Sequence, residues 1–225
     1  MDPATLQEVY VLIVLVIAGL LDVVYREIEP LYWYIASKAG ALLVLAEASY
    51  GASLYGGEYY YMVMVYLLLS LVPVIVVLAL YRLCMIGGAD VGAIAFIAVT
   101  LPLHAGSLVP PIYLIIIYTL APMAAYSAYI YLARCKGPLI RCLRGPVVVD
   151  TRELLVRREY MWWMPSVGGC SIGLYKDEAV FRRYKGLKRR VEASPGNPYV
   201  SFIAVAYIIF LFIGDYPMRY LLGVV

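Results

Sequence analysis

Two aspartates stand out because of where they sit. Asp22 lies near the end of the first long apolar run, and Asp90 lies at the start of the fourth. An ionisable group inside a membrane span costs roughly 2.5–3.5 kcal/mol at its centre, so each such residue needs an explanation. Two carboxyl groups at close range cannot both ionise cheaply, so one keeps its proton near neutrality. Such a pair can hold a water, with one member as general base and the other polarising a carbonyl, which is the chemistry of aspartic proteolysis. The plainer alternative is two unrelated aspartates snorkelling at helix ends, with Asp90 favoured by a helix N-terminus. Lys38, Glu47 and the single histidine, His104, are further candidates within apolar runs.

The elements that must carry these residues follow from composition. Hydrophobic residues make up 64% of the 225-residue chain and mean hydropathy is +0.84, well above the roughly 45–50% apolar usage of soluble domains. Of 33 charged residues, 20 fall in positions 134–194, 14 of them basic and six acidic; the other 164 positions carry only 13. An ordinary cytosolic globule, a disordered chain and a disulfide-rich secreted domain are thereby excluded. The expected fold is an all-α polytopic membrane protein of six transmembrane helices, with a small cytoplasmic insert containing some β between helices 5 and 6. A span needs about 20 mostly apolar residues, and stretches near 6–24, 31–50, 59–82, 87–107, 112–133 and 198–214 are candidates. Three regions result: 1–133 with helices 1 to 5 and both aspartates, the basic insert 134–197, and 198–225 with helix 6 and a short tail. Val147-Val148-Val149 and the segment 160–163 favour strands. The first apolar run lacks a basic leader and a cleavage site, so it reads as a retained span.

Basic residues orient the spans. Arg26, Arg82 and the insert fall in alternate loops, which assigns that side to the cytoplasm and both termini to the outside. Asp22 and Asp90 then share the cytoplasmic depth. Gly88 and Gly92 form a G-x-x-x-G pair around Asp90, a spacing that lets helices approach closely in a bilayer. The glycines before Asp90 leave room for an extended peptide.

Gly87-Gly88-Ala89-Asp90 resembles the G-x-G-D-type motif of intramembrane aspartyl proteases, in the form with a small residue before the aspartate. Asp22-Val23-Val24-Tyr25-Arg26-Glu27-Ile28, followed by Trp33, is similar to the segment after the first catalytic aspartate of archaeal preflagellin and type IV prepilin peptidases. The likeness extends over nearly the whole chain. It implies Asp22 and Asp90 as the catalytic pair, with Gly87, Gly88 and Ala89 flanking the substrate's approach. It also implies archaellin or pilin-like precursors as substrates, cut after a short basic leader at the cytoplasmic face. Two departures are Ile28-Glu29-Pro30 in place of Ile-Pro-Asp, and Gly92 in place of a lysine. Glu27 and Glu29 are candidates for attracting the leader's Lys and Arg; a solvated loop paired with Arg26 is the other reading.

Cys84, Cys135, Cys142 and Cys170 form no C-x-x-C pair, so neither a zinc site nor the paired-cysteine methyltransferase region of bacterial prepilin peptidases is expected, and no metal or cofactor. His104 reads as structural. Glu47 is expected to snorkel at the outer interface, and Lys38 to pair within the membrane, with Asp22 as one partner. The run Lys185-Gly186-Leu187-Lys188-Arg189-Arg190 reads as a juxtamembrane segment held by anionic lipid headgroups; nucleic acid is not an expected partner. The rival from another class is a proton-coupled transporter or channel that relays protons through its intramembrane aspartates.

Overall fold

The computed structural model describes residues 2–25, 28–83, 86–104, 107–134, 147–150, 163–167, 170–171, 190–195 and 197–223. Among them are seven helices: α1 (Pro3–Tyr25), α2 (Pro30–Tyr55), α3 (Gly57–Arg82), α4 (Gly88–Thr100), α5 (Pro111–Arg134), α6 (Tyr199–Ile213) and α7 (Tyr216–Leu222). Between α5 and α6 lie β1 (Val147–Asp150), β2 (Trp163–Val167), β3 (Cys170–Ser171) and β4 (Arg190–Pro195). They form an antiparallel sheet in the order β1-β4-β2-β3. The valine run at 147–149 sits in β1, whereas only Trp163 of the expected 160–163 strand falls on β2; residues 160–162 lie outside the described residues.

Three helices are long and apolar enough to cross a bilayer: α1, α3 and Pro111–Tyr129 of α5. The pair α6 and α7, bent by 63° at its break, makes a fourth if it counts as one span. The second expected span is a 26-residue helix, α2, whose apolar residues are diluted by Lys38, Glu47, tyrosines and glycines. The fourth is shorter than expected. Its helix ends at Thr100 after 13 residues, a rise of about 20 Å against a hydrocarbon core of about 30 Å. The cause is local: Leu101 precedes Pro102, and the residue before proline is pushed out of the α region. Hydropathy alone reads through this break because Leu101 and Leu103 keep the window apolar.

α4 is the most enclosed helix. Ala93, Phe96, Ile97 and Ala98 are fully buried, and the first three pack with Val11, Leu15 and Ala18 of α1, Trp33 and Ala36 of α2, and Ile203 and Tyr207 of α6. Gln7, itself buried, donates its side-chain amide to the Thr100 carbonyl, supplying a partner that the end of a helix lacks. Tyr10 and Tyr32 tie α1 to α2 through the carbonyls of Ala36 (2.8 Å) and Val14 (2.7 Å). Outward faces carry exposed apolar residues such as Leu20, Leu42, Leu68, Ile75 and Phe212, the pattern of helices solvated by lipid.

Candidate active site

Asp22 is 7% exposed, and its partners come from the far end of the sequence. Its Oδ2 accepts the backbone N–H groups of Val200 (3.0 Å) and Ser201 (3.3 Å) in the first turn of α6. Those N–H groups have no partner within their own helix, so Asp22 satisfies them across a gap of 178 residues. The Ser201 hydroxyl donates to the Gly19 carbonyl at 2.7 Å. A Cβ on Gly19 would stand 3.2 Å from the Ser201 backbone, so α1 and α6 touch closely at this point.

Asp90 is the third residue of α4. Its Oδ2 accepts the Gly87 N–H at 3.1 Å, the reach-back half of a capping box, since Gly87 has no side chain to complete it. Gly87 and Gly88 are exposed and Ala89 is half-buried. A Cβ at Gly88 would meet nothing nearer than Tyr81 at 3.8 Å, so the chain before Asp90 is open on one side.

Both aspartates therefore lie at one end of the bundle, each against a helix N-terminus, Asp22 at the start of α6 and Asp90 in the first turn of α4. Tyr199 is the first residue of α6, next to the Val200 whose N–H Asp22 accepts. Trp33, Tyr199 and Ser201 are site neighbours whose placement the sequence did not disclose. The position of Pro198 just before an apolar run is the one signal that marks where α6 begins.

Gly92 has a different role from the expected one. A Cβ there would fall 2.3 Å from Trp33 Cδ1 and 2.6 Å from Cγ. The small residue makes room for an indole ring, not for a neighbouring helix backbone. That ring also packs on Phe96, with centroids 5.9 Å apart, and so fixes the turn of α4 that carries Asp90.

Glu29 is exposed at the N-cap of α2, with Pro30 opening the helix; proline at this position has no N–H to leave orphaned. The Ile28-Glu29-Pro30 departure thus makes a helix start, with Ile28 buried beneath it. Glu27, Arg26 and Cys84 lie outside the described residues, as do Cys135, Cys142 and residues 185–189.

Two expectations about the remaining polar residues need correction. Lys38 is exposed and its ammonium lies 4.2 Å from the centre of the Tyr34 ring, a cation–π contact on the surface of α2. Glu47 does not snorkel: it is 5% exposed and accepts the Tyr59 hydroxyl at 2.9 Å, because Tyr59 folds back onto the small Gly51. His104 lies beyond the end of α4 and pairs with Glu8 at 2.7 Å, its ring edge-on to Phe210.

No family model and no curated protein matches the chain.

Proposed function

We propose that the protein is an aspartic endopeptidase of the prepilin and preflagellin peptidase type, without methyltransferase activity. Its substrates are archaellin or pilin-like precursors, and it removes their short basic leader. The observation that supports this reading is that Asp22 and Asp90, from separate helices, lie at the same end of the bundle. A water held between them loses a proton to the ionised carboxylate and attacks the scissile carbonyl. The protonated member donates to the carbonyl oxygen. Collapse of the tetrahedral adduct breaks the C–N bond as a proton passes to the leaving amine.

In this reading six segments cross the cell membrane, both termini face outward, and the aspartates face the cytoplasm, where the basic insert meets anionic headgroups. The exposed Gly87 and Gly88 give an extended precursor a surface beside Asp90. Glu29, and Glu27 beside it in sequence, attract the leader's basic residues.

The rival transporter reading relays protons through the intramembrane aspartates and needs a path from them to the ionisable groups at the opposite end, Glu8, Glu47 and His104. Against it stands the apolar stretch between the two ends. Glu8 and Asp22 are 14 positions apart on α1, about 21 Å, and Val11, Val14, Leu15 and Ala18 between them are buried in the apolar core. Purified protein incubated with a tagged precursor decides the matter. The expected result is a size shift, with mass spectrometry placing the new N-terminus at the leader boundary. Proton flux in liposomes without cleavage would sink the peptidase reading.

A further inference from the structure

One exposed face of α2 is apolar except at a single point. Leu31, Tyr34, Ile35, Leu42 and Leu45 are exposed along it, and Lys38 stands among them. The Lys38 ammonium lies 4.2 Å from the centre of the Tyr34 ring, one turn back. Its side chain therefore runs toward the start of the helix, the direction in which helical side chains lean. Among the described residues no carboxylate pairs with it. Glu29, at the N-cap of α2, is nine positions away, about 13 Å along the axis. Glu47, nine positions the other way, is buried and holds the Tyr59 hydroxyl. The Tyr34 hydroxyl likewise has no hydrogen-bond partner among the described residues.

Depth decides what such an ammonium meets. The 26 residues of α2 rise about 39 Å against a hydrocarbon core of about 30 Å, so a centred helix enters the headgroups by about 4–5 Å at each end. The Lys38 Cα is then about 7–8 Å inside the core on the side where α2 begins. A lysine stem of about 6 Å, leaning back over Tyr34, brings the ammonium to about 2 Å from the headgroup layer. A cation at this border without a protein carboxylate draws its counter-charge from the membrane, and Tyr34 adds an O–H donor beside it. A zwitterionic headgroup sets its own ammonium against its phosphate, so a lipid of net negative charge is the better complement.

We propose that Lys38 and Tyr34 form a headgroup site for an anionic phospholipid of the cytoplasmic leaflet, the ammonium against its phosphate and the apolar residues of the face along its acyl chains. The site rests on the proposed crossing of the membrane by α2 with its start at the cytoplasm, and not on the peptidase chemistry.

The test uses the whole protein carrying Leu31→Trp, a reporter on the same face, one turn beyond Tyr34, that leaves both residues in place. It is reconstituted in phosphatidylcholine bilayers containing phosphatidylglycerol, with the acyl chains of one lipid or the other brominated. Quenching of the added tryptophan, over the background of the protein without it, gives the relative affinity of the two lipids at that spot. Phosphatidylglycerol is expected to be favoured about fivefold. Lys38→Gln should bring the ratio close to one and Lys38→Arg should keep it; Lys38 is exposed, so neither substitution disturbs packing. No preference for phosphatidylglycerol in the parent, or an unchanged ratio in Lys38→Gln, would overturn the proposal and leave the crossing of α2 intact. If neither brominated lipid quenches the added tryptophan, this face of α2 does not meet the bilayer, and the proposed crossing falls together with the site.

Discussion

Replacing Gly92 by alanine adds one methyl group, and the structure gives that methyl nowhere to go. It would lie 2.3, 2.6 and 2.7 Å from three atoms of the Trp33 ring, where carbon atoms need about 3.5 Å. The indole would have to retreat by about 1 Å. It cannot do so freely, being buried between Tyr32 and Phe96, with ring centroids at 5.2 and 5.9 Å. Overpacking of this kind costs about 1–3 kcal/mol; three clashing atoms on one rigid ring place it near the top of that range. Alanine returns up to about 1 kcal/mol through its better helix propensity. The net expectation is a loss of about 2 kcal/mol, roughly thirtyfold in the folded-to-unfolded ratio. Gly88→Ala is the internal control. Its methyl meets nothing within 3.8 Å, so stability should hold or rise slightly. Equilibrium unfolding in mixed micelles, followed by far-UV circular dichroism, reads both variants. In a Trp33→Ala background the cost of Gly92→Ala should vanish, a coupling that a double-mutant cycle measures directly. A Gly92→Ala protein as stable as the wild type would refute the packing described for α4, and with it the account of how Asp90 is held.

Two further perturbations probe the ends of the bundle. Burial of Asp215 pushes its carboxyl up, but the Leu108 N–H at 2.9 Å and the Arg219 guanidinium at 2.8 Å outweigh this and hold it below the usual range. Its contribution to stability is therefore complete above the ordinary carboxyl value, about 4, and is lost as pH falls through the lowered native value. Wild-type melting temperature should drop between pH 5 and pH 2 more steeply than that of Asp215→Asn; parallel curves would show that the carboxylate contributes nothing. Glu29→Gln should raise KM for a precursor with a basic leader by about two- to fivefold while leaving kcat unchanged, the size of an exposed charge contact. Unchanged KM at low salt would remove Glu29 from leader recognition.

The helical character of the chain was readable from its apolar runs, because a segment solvated by lipid must satisfy its own backbone. Pro30 opens α2, and Gly56 and Gly57 separate it from α3, near the ends of the apolar stretches 31–50 and 59–82. Helix length was less legible. The apolar window at 87–107 hides the unwinding at Leu101, since hydropathy registers side chains and not backbone dihedrals. That Asp22 and Asp90 fall at one end follows from counting alternating helices; that Asp22 serves α6 does not, because its partners are 178 residues away. The same distance problem hid the Glu8–His104 pair, 96 positions apart, and made Glu47 look like a surface residue when Tyr59 covers it. Gly92 was legible as a place that needs a small residue, but not as the seat of Trp33, since spacing along one helix says nothing of which side chain arrives from another.

The proposed chemistry stands or falls on the two carboxylates. Initial rates of precursor cleavage by wild type, Asp22→Asn and Asp90→Asn, each first shown to retain its helical spectrum, test it most directly. Each substitution is expected to reduce cleavage by about a thousandfold or more, since the dyad needs both an ionised and a protonated member. Cleavage at the wild-type rate by either variant would contradict the assignment.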